Sequence, residues 1–185
     1  MTLTGSRYPF TILVDGNDYV ITNQLATWFG GQADADSGQD SGETASGINT
    51  IKNPNYLGCA LPIDLNRPKG NPCHGSPLIN YSSKVPWFAE VIVTNRDNGL
   101  TVSGKLIDLG PDAPPEAEGT IDLTQPWFTA LRGNLNKGRI NVDIRIPNAV
   151  TLFGLPNAPE APVSQPVVTQ APDDGLQITG ENFQT

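Results

Sequence analysis

Side chains able to do covalent or acid–base chemistry are few in this chain, which has one histidine, His74, and two cysteines, Cys59 and Cys73. A C-x13-C-H run with no other Cys or His falls short of the three or four ligands that a zinc site takes. Neither thiol has the neighbouring base of a cysteine nucleophile. Cys59 and Cys73 therefore read as a buried thiol pair or as a disulfide closing the loop between them. Asp34, Asp36, Asp40 and Glu43 cluster in a way that invites calcium, but Gly38 and Gln39 stand where the EF-hand pattern needs an oxygen ligand and a glycine; the run reads as a solvated acidic loop. Asp108, two residues before Gly110-Pro111, suits a carboxylate accepting backbone N–H groups in the following turn, and Asp122 suits a cap or turn ahead of a short helix. Three Trp-Phe pairs recur: Trp28-Phe29, Trp87-Phe88 and Trp127-Phe128. On alternating strands one ring of a pair faces in and the other out, with most of the six rings going to the core. No metal or organic cofactor is expected.

The elements that position these residues read as strands. The 185 residues are 37% hydrophobic and 16% charged, with 19 Gly and 17 Pro, which argues against helical bundles and for short strands joined by tight turns. Two β-rich runs, at residues 11–14 and 18–22, flank Asp15-Gly16-Asn17, a strong hairpin signal, and the second run extends toward Phe29. Residues 30–50 have little to bury and read as a long surface loop. A short apolar run at 56–63 leads into a Pro- and Gly-punctuated excursion. Residues 87–94 and 100–109 form a hairpin about Asp97-Asn98-Gly99. A short strand at 120–124 precedes a helix at 126–131 with Thr124 as N-cap, and residues 139–146 alternate Ile140, Val142, Ile144 and Ile146 with polar positions. Beyond Pro147 the chain lacks Lys and Arg and is rich in Pro, the composition of an extended tail.

The formal net charge of −8 leaves no basic stripe for phosphates, which excludes nucleic acid as an expected partner. No stretch approaches the ~18–20 apolar residues of a membrane span, so membrane insertion is not expected. The first residues show no basic then apolar leader. Synthesis in the cytoplasm without a signal peptide is the expectation.

Several short elements occur in order: Trp28-Phe29-Gly30-Gly31, Thr44-Ala45-Ser46-Gly47, a Val85-Pro86 step into a strand ending Val93-Thr94-Asn95, Asp108-x-Gly110-Pro111, and Ile121-Asp122-Leu123-Thr124. Across roughly residues 25–146 this ordered set resembles the double-psi β-barrel family of rare lipoprotein A-like proteins, expansins and barwin-like proteins. The resemblance implies an all-β fold with a six-stranded double-psi barrel at 25–146, flanked by the N-terminal hairpin arm at 1–24 and the extended Pro-rich tail at 147–185 that the residues themselves indicate. It also implies a groove that engages cell-wall glycan, with Asp108 matching the aspartate of members with lytic transglycosylase activity. One acid can serve there as both general acid and base, because the sugar's own hydroxyl is the nucleophile. Two departures stand out: Ile48 lies where the family carries Glu, and Ser82 lies near where it carries His. Glu43 and the lone His74 are the available helpers, and Trp28 and Trp87 are the rings expected to line the groove.

Two functions of different class follow from this reading. The first is a peptidoglycan-binding or peptidoglycan-cleaving barrel, which without a leader would reach the wall by lysis, by a dedicated export route or on a phage virion or tail. The second is a non-catalytic structural adaptor of such an assembly, with residues 147–185 and the amino-terminal hairpin clasping other virion proteins. A barwin-like inhibitor or carbohydrate-binding module is a third.

Overall fold

The computed structural model describes residues 1–5, 8–36, 41–67, 73–111 and 120–154. The hairpin signal is realised by β2 (Thr11–Asp15) and β3 (Asp18–Phe29), joined through Gly16-Asn17 with Asp15 paired to Asp18. Gly16 has φ +59°, which glycine alone adopts without steric cost in so tight a turn. A three-residue β1 (Thr2–Thr4) adds to the outer edge of β2.

Six strands close into a mixed barrel. Around the ring, β3 pairs in parallel with β7 (Ile121–Thr124), β7 antiparallel with β4 (Gly58–Leu61), and β4 in parallel with β6 (Thr101–Leu109). The ring continues with β6 antiparallel to β5 (Glu90–Asn95), β5 to β8 (Ile140–Ile146), and β8 back to β3. Closure leaves these six strands no open edge. The all-β, six-stranded barrel expected from the sequence is what the chain forms.

The core follows the alternation of the strands. Ile140, Val142, Ile144 and Ile146 of β8 all point inward against Val91, Val93, Leu106, Ile121 and Leu123, each such burial stabilising by about 1.5–3 kcal/mol. A short helix, α2 (Gln125–Ala130), buries Trp127 and Phe128 together, because adjacent helical residues are not held to opposite faces as strand residues are. Thr124 stands at the N-cap position, as expected, but its side chain makes no capping bond. Its hydroxyl donates to the Tyr56 carbonyl (2.7 Å) and accepts from the Gly58 N–H (3.1 Å), tying β7 to the segment entering β4.

Three further departures from the sequence reading appear, and two of them come from burial supplied by distant residues. Residues 30–50 contain a short helix, α1 (Gln32–Asp36), where only loop was expected. The expected amino-terminal arm is part of the core: Tyr8, Phe10 and Ile12 are buried, and β3 runs unbroken past residue 25. The first residues of the expected tail form α3 (Ala149–Phe153), which buries Ala149 and Phe153, the latter stacked on Tyr19. Asp18 anchors α3 by accepting the Asn148 N–H (2.9 Å), and Asn17 bonds Asn148 and Thr151. Of the tail at 147–185, which with the hairpin is expected to clasp neighbours, residues 155–185 lie outside the described residues. No helix among the described residues is long and apolar enough to cross a membrane.

Candidate functional site

Asp108 faces outward because of one irregularity in the β4–β6 ladder. Cys59 pairs with Leu106, but Ala60 pairs with Asp108, so one extra residue is accommodated on β6. Leu106 faces the core; regular alternation would send residue 108 inward as well, and the bulge reverses the phase. The extra residue, Ile107, lies over Gly58, where any Cβ would collide with it.

The same ladder brings a second carboxylate alongside. Ala60 pairs with Asp122 as well as Asp108, and Asp122 pairs with Thr27. Directly paired residues share a face, so Thr27, Asp122, Ala60 and Asp108 form one row across β3, β7, β4 and β6. Thr27 donates its hydroxyl proton to Asp122. Asp122 is thus a strand residue in a carboxylate row, not the cap or turn residue that its sequence neighbours suggest.

The turn at 44–47 docks on this row. The Ala45 N–H donates to Asp108 Oδ1 (3.1 Å), which also accepts the Leu109 N–H (2.8 Å), and the Ser46 N–H donates to the Ile107 carbonyl (3.0 Å). The turn is braced internally by Thr44 Oγ1 to the Ile48 carbonyl (2.8 Å) and Gly47 N–H to the Thr44 carbonyl (2.9 Å). Glu43, exposed at its edge, accepts from Asn49 Nδ2 (2.7 Å). The Thr-Ala-Ser-Gly element and Asp108, 63 residues apart, are therefore in contact.

His74 is elsewhere. Its Nδ1 lies 3.4 Å from the buried Asp64 carboxylate, and its side chain is 79% exposed. Asp64 also accepts the Asn66 and Gly75 N–H groups, organising the excursion after β4. Trp28 pairs with the fully buried Leu123, so it lies on the inner side of β3, opposite the Asp122 row, and its Nε1 donates to the Leu135 carbonyl (3.1 Å). Trp87 is half-buried against the core.

Among the six rings of the Trp-Phe pairs the exposed one is Phe88, 45% accessible and at φ +66°. Its N–H donates to the Leu106 carbonyl (2.9 Å), which sets it two residues from Asp108 along β6. Alternation alone does not say which ring of a Trp-Phe pair faces out; Trp28 and Trp87, the rings expected to line the groove, are the half-buried ones.

No disulfide joins Cys59 and Cys73, and both thiols are buried. Cys59 faces the interior beside Leu106 and Leu123, and burial, reinforced by the Asp122 charge, pushes its thiol far up from the ordinary value. Asp34 accepts the Gly30 N–H and Asp36 accepts from Gln32, both within the α1 region, and Asp40 lies outside the described residues. Among the described residues no group of three or more His, Cys, Asp or Glu side chains could hold a metal ion.

No protein-family model matches the chain. No curated protein matches it either. Among solved structures the chain is similar to the Streptomyces papain inhibitor, at 20% identity over 71% of this chain and 94% of that one, with a TM-score of 0.40.

Proposed function

We propose that this chain is a double-psi β-barrel protein that engages cell-wall glycan, peptidoglycan or a related polymer, over the outer face of β7, β4 and β6, with Asp108 as the acid/base that cleaves it. The observation that carries the reading is the row Asp122–Ala60–Asp108. Two carboxylates flank one small residue, with Cα atoms two strand spacings, or about 10 Å, apart, and an exposed aromatic ring stands near one end.

The chemistry needs one proton donor. Asp108 gives its proton to the glycosidic oxygen as the C1–O bond breaks, and the sugar's own 6-hydroxyl attacks C1 and returns its proton to Asp108. The products are a 1,6-anhydro end and a free hydroxyl end, with no water consumed. Asp122 supplies a second negative charge beside the developing oxocarbenium ion. Isolated sacculi incubated with the protein should release anhydro-ended muropeptides, detected by mass spectrometry, and Asp108→Asn should abolish the release. Intact sacculi with both proteins, beside an active control, would overturn the catalytic reading.

One observation favours the non-catalytic adaptor of a virion or tail-like assembly. Asp108 acts as a clasp for the 44–47 turn, and Ile48 supplies no acid. Sacculus binding without cleavage, or self-association through protected chain ends, would support that alternative.

A further inference from the structure

We infer that the cleft between the β3–α1 turn and the β7–α2 corner is a subsite for an uncharged, hydroxyl-rich sugar ring, continuous with the Asp108–Asp122 row. The inference rests on the glycan reading above and specifies the part of the polymer bound there, its neutral sugar backbone. The cleft encloses ≈ 370 Å³, and none of its lining residues is Asp, Glu, Lys, Arg or His.

The hydrogen-bonding polarity of the lining selects the ligand. Three carboxamides line the cleft, and each has one N–H engaged, which fixes its orientation: Gln32 Nε2 with Asp36 Oδ1 (2.7 Å), Asn53 Nδ2 with the Asn49 carbonyl (2.9 Å), and Gln125 Nε2 with the Gly30 carbonyl (2.7 Å). Their amide oxygens receive no donor from the described residues. The hydroxyls of Thr50 and Thr124 are engaged within the protein, donating to the Gly42 and Tyr56 carbonyls and accepting the Gly31 and Gly58 N–H groups. The wall therefore offers uncharged groups of both kinds, amide oxygens as acceptors and the second N–H of each carboxamide as a donor. An anion finds no cation here, and a metal ion finds no carboxylate to replace its hydration. A pyranose brings several O–H donors, and its C–H face suits the apolar surfaces of Tyr56 and Pro126.

Position joins the cleft to the row. Thr124, on its wall, lies two residues beyond Asp122 on β7 and points to the same side, about 7 Å further along the strand. A glycan crossing Asp122 is thereby led into the cleft.

The test follows the side-chain amide NMR signals of Gln32, Asn53 and Gln125 in the full 15N-labelled chain. Chitotetraose, an uncharged N-acetylglucosamine tetramer, should move them, and tetragalacturonate should bind at least tenfold more weakly. Gln125→Ala should weaken chitotetraose about tenfold, and Gln32→Ala, on an exposed position of α1, severalfold, as expected for lost hydrogen bonds. The inference is overturned if chitotetraose leaves these signals in place, if the two oligosaccharides bind equally, or if calcium chloride alone moves the same signals. Sacculi separate the two readings. Unaltered sacculus binding and cleavage by both cleft variants would remove the subsite while the glycan function stands; wild-type protein inert toward sacculi but shifted by chitotetraose would remove the peptidoglycan reading and keep the cleft as a sugar site.

Discussion

Asp108 and Asp122 face the same way across Ala60 because each is paired in register with that one residue, Asp108 from β6 and Asp122 from β7. The arrangement joins the second half of the barrel to the turn at 44–47, since the carboxylate that faces outward also receives the Ala45 N–H.

Asp108 should separate its two roles on substitution. Asp108→Asn keeps an acceptor for Ala45, so the turn stays docked while release from sacculi is lost. Asp108→Ala removes the acceptor as well and should cost about 1 kcal/mol of stability, with faster amide exchange at Ala45. Equal Ala45 exchange in the two variants would remove the clasp from the account.

Phe88 combines exposure with a left-handed backbone, a conformation that disfavours an aromatic side chain by about 1–2 kcal/mol. Phe88→Gly should raise the unfolding free energy by roughly 1 kcal/mol and weaken binding to sacculi. Chemical denaturation paired with a sacculus pull-down checks both. A variant that is stabilised and binds as before would show that the ring is not part of the glycan surface.

Acid should loosen the junction between β8 and α3. The Asn148 N–H, followed by the Arg145 guanidinium (Nη2 2.6 Å from the carboxylate), holds the Asp18 carboxyl below its ordinary value. Burial pushes Asp143 up, but the Asn23 N–H and the Arg96 guanidinium together outweigh it, so its carboxyl is also held down. A depressed carboxyl stabilises the fold fully above the unfolded value, near pH 3.9, and loses that contribution as pH falls through the lower folded value. Melting temperatures should therefore drop below about pH 4, and Asp18→Asn should flatten part of that slope. An identical slope in the variant would assign the acid sensitivity to other groups.

Both thiols should resist modification in the folded protein. Cys59 and Cys73 are buried and not joined by a disulfide, and Cys59 is further protected because its thiolate is disfavoured. Ellman's reagent should detect neither thiol natively and both in denaturant without reductant. A native disulfide would leave the denatured count at zero.

The elements set by local chemistry were legible in the sequence. The hairpin about Gly16-Asn17, the alternating β8 and the helix after Thr124 each follow from neighbours within a few residues, and their faces followed from period two. The candidacy of Asp108 was legible only through an ordered set of motifs. Tertiary structure alone decided its direction, because the bulge at Ile107 depends on how β6 registers against β4, 47 residues before it. Asp122 gained its place in the row, and lost its reading as a cap, for the same reason: its partners Thr27 and Ala60 come from other parts of the chain. Phe88 rather than Trp87 became the exposed ring through a backbone twist that strand alternation does not encode. Residues 149–153 folded because Tyr19, Asn17 and Asp18 gave them a surface and hydrogen-bond partners. Local sequence specifies strands and turns through steric and solvation preferences of adjacent residues; which side chains meet on one face is settled only when distant strands choose their register.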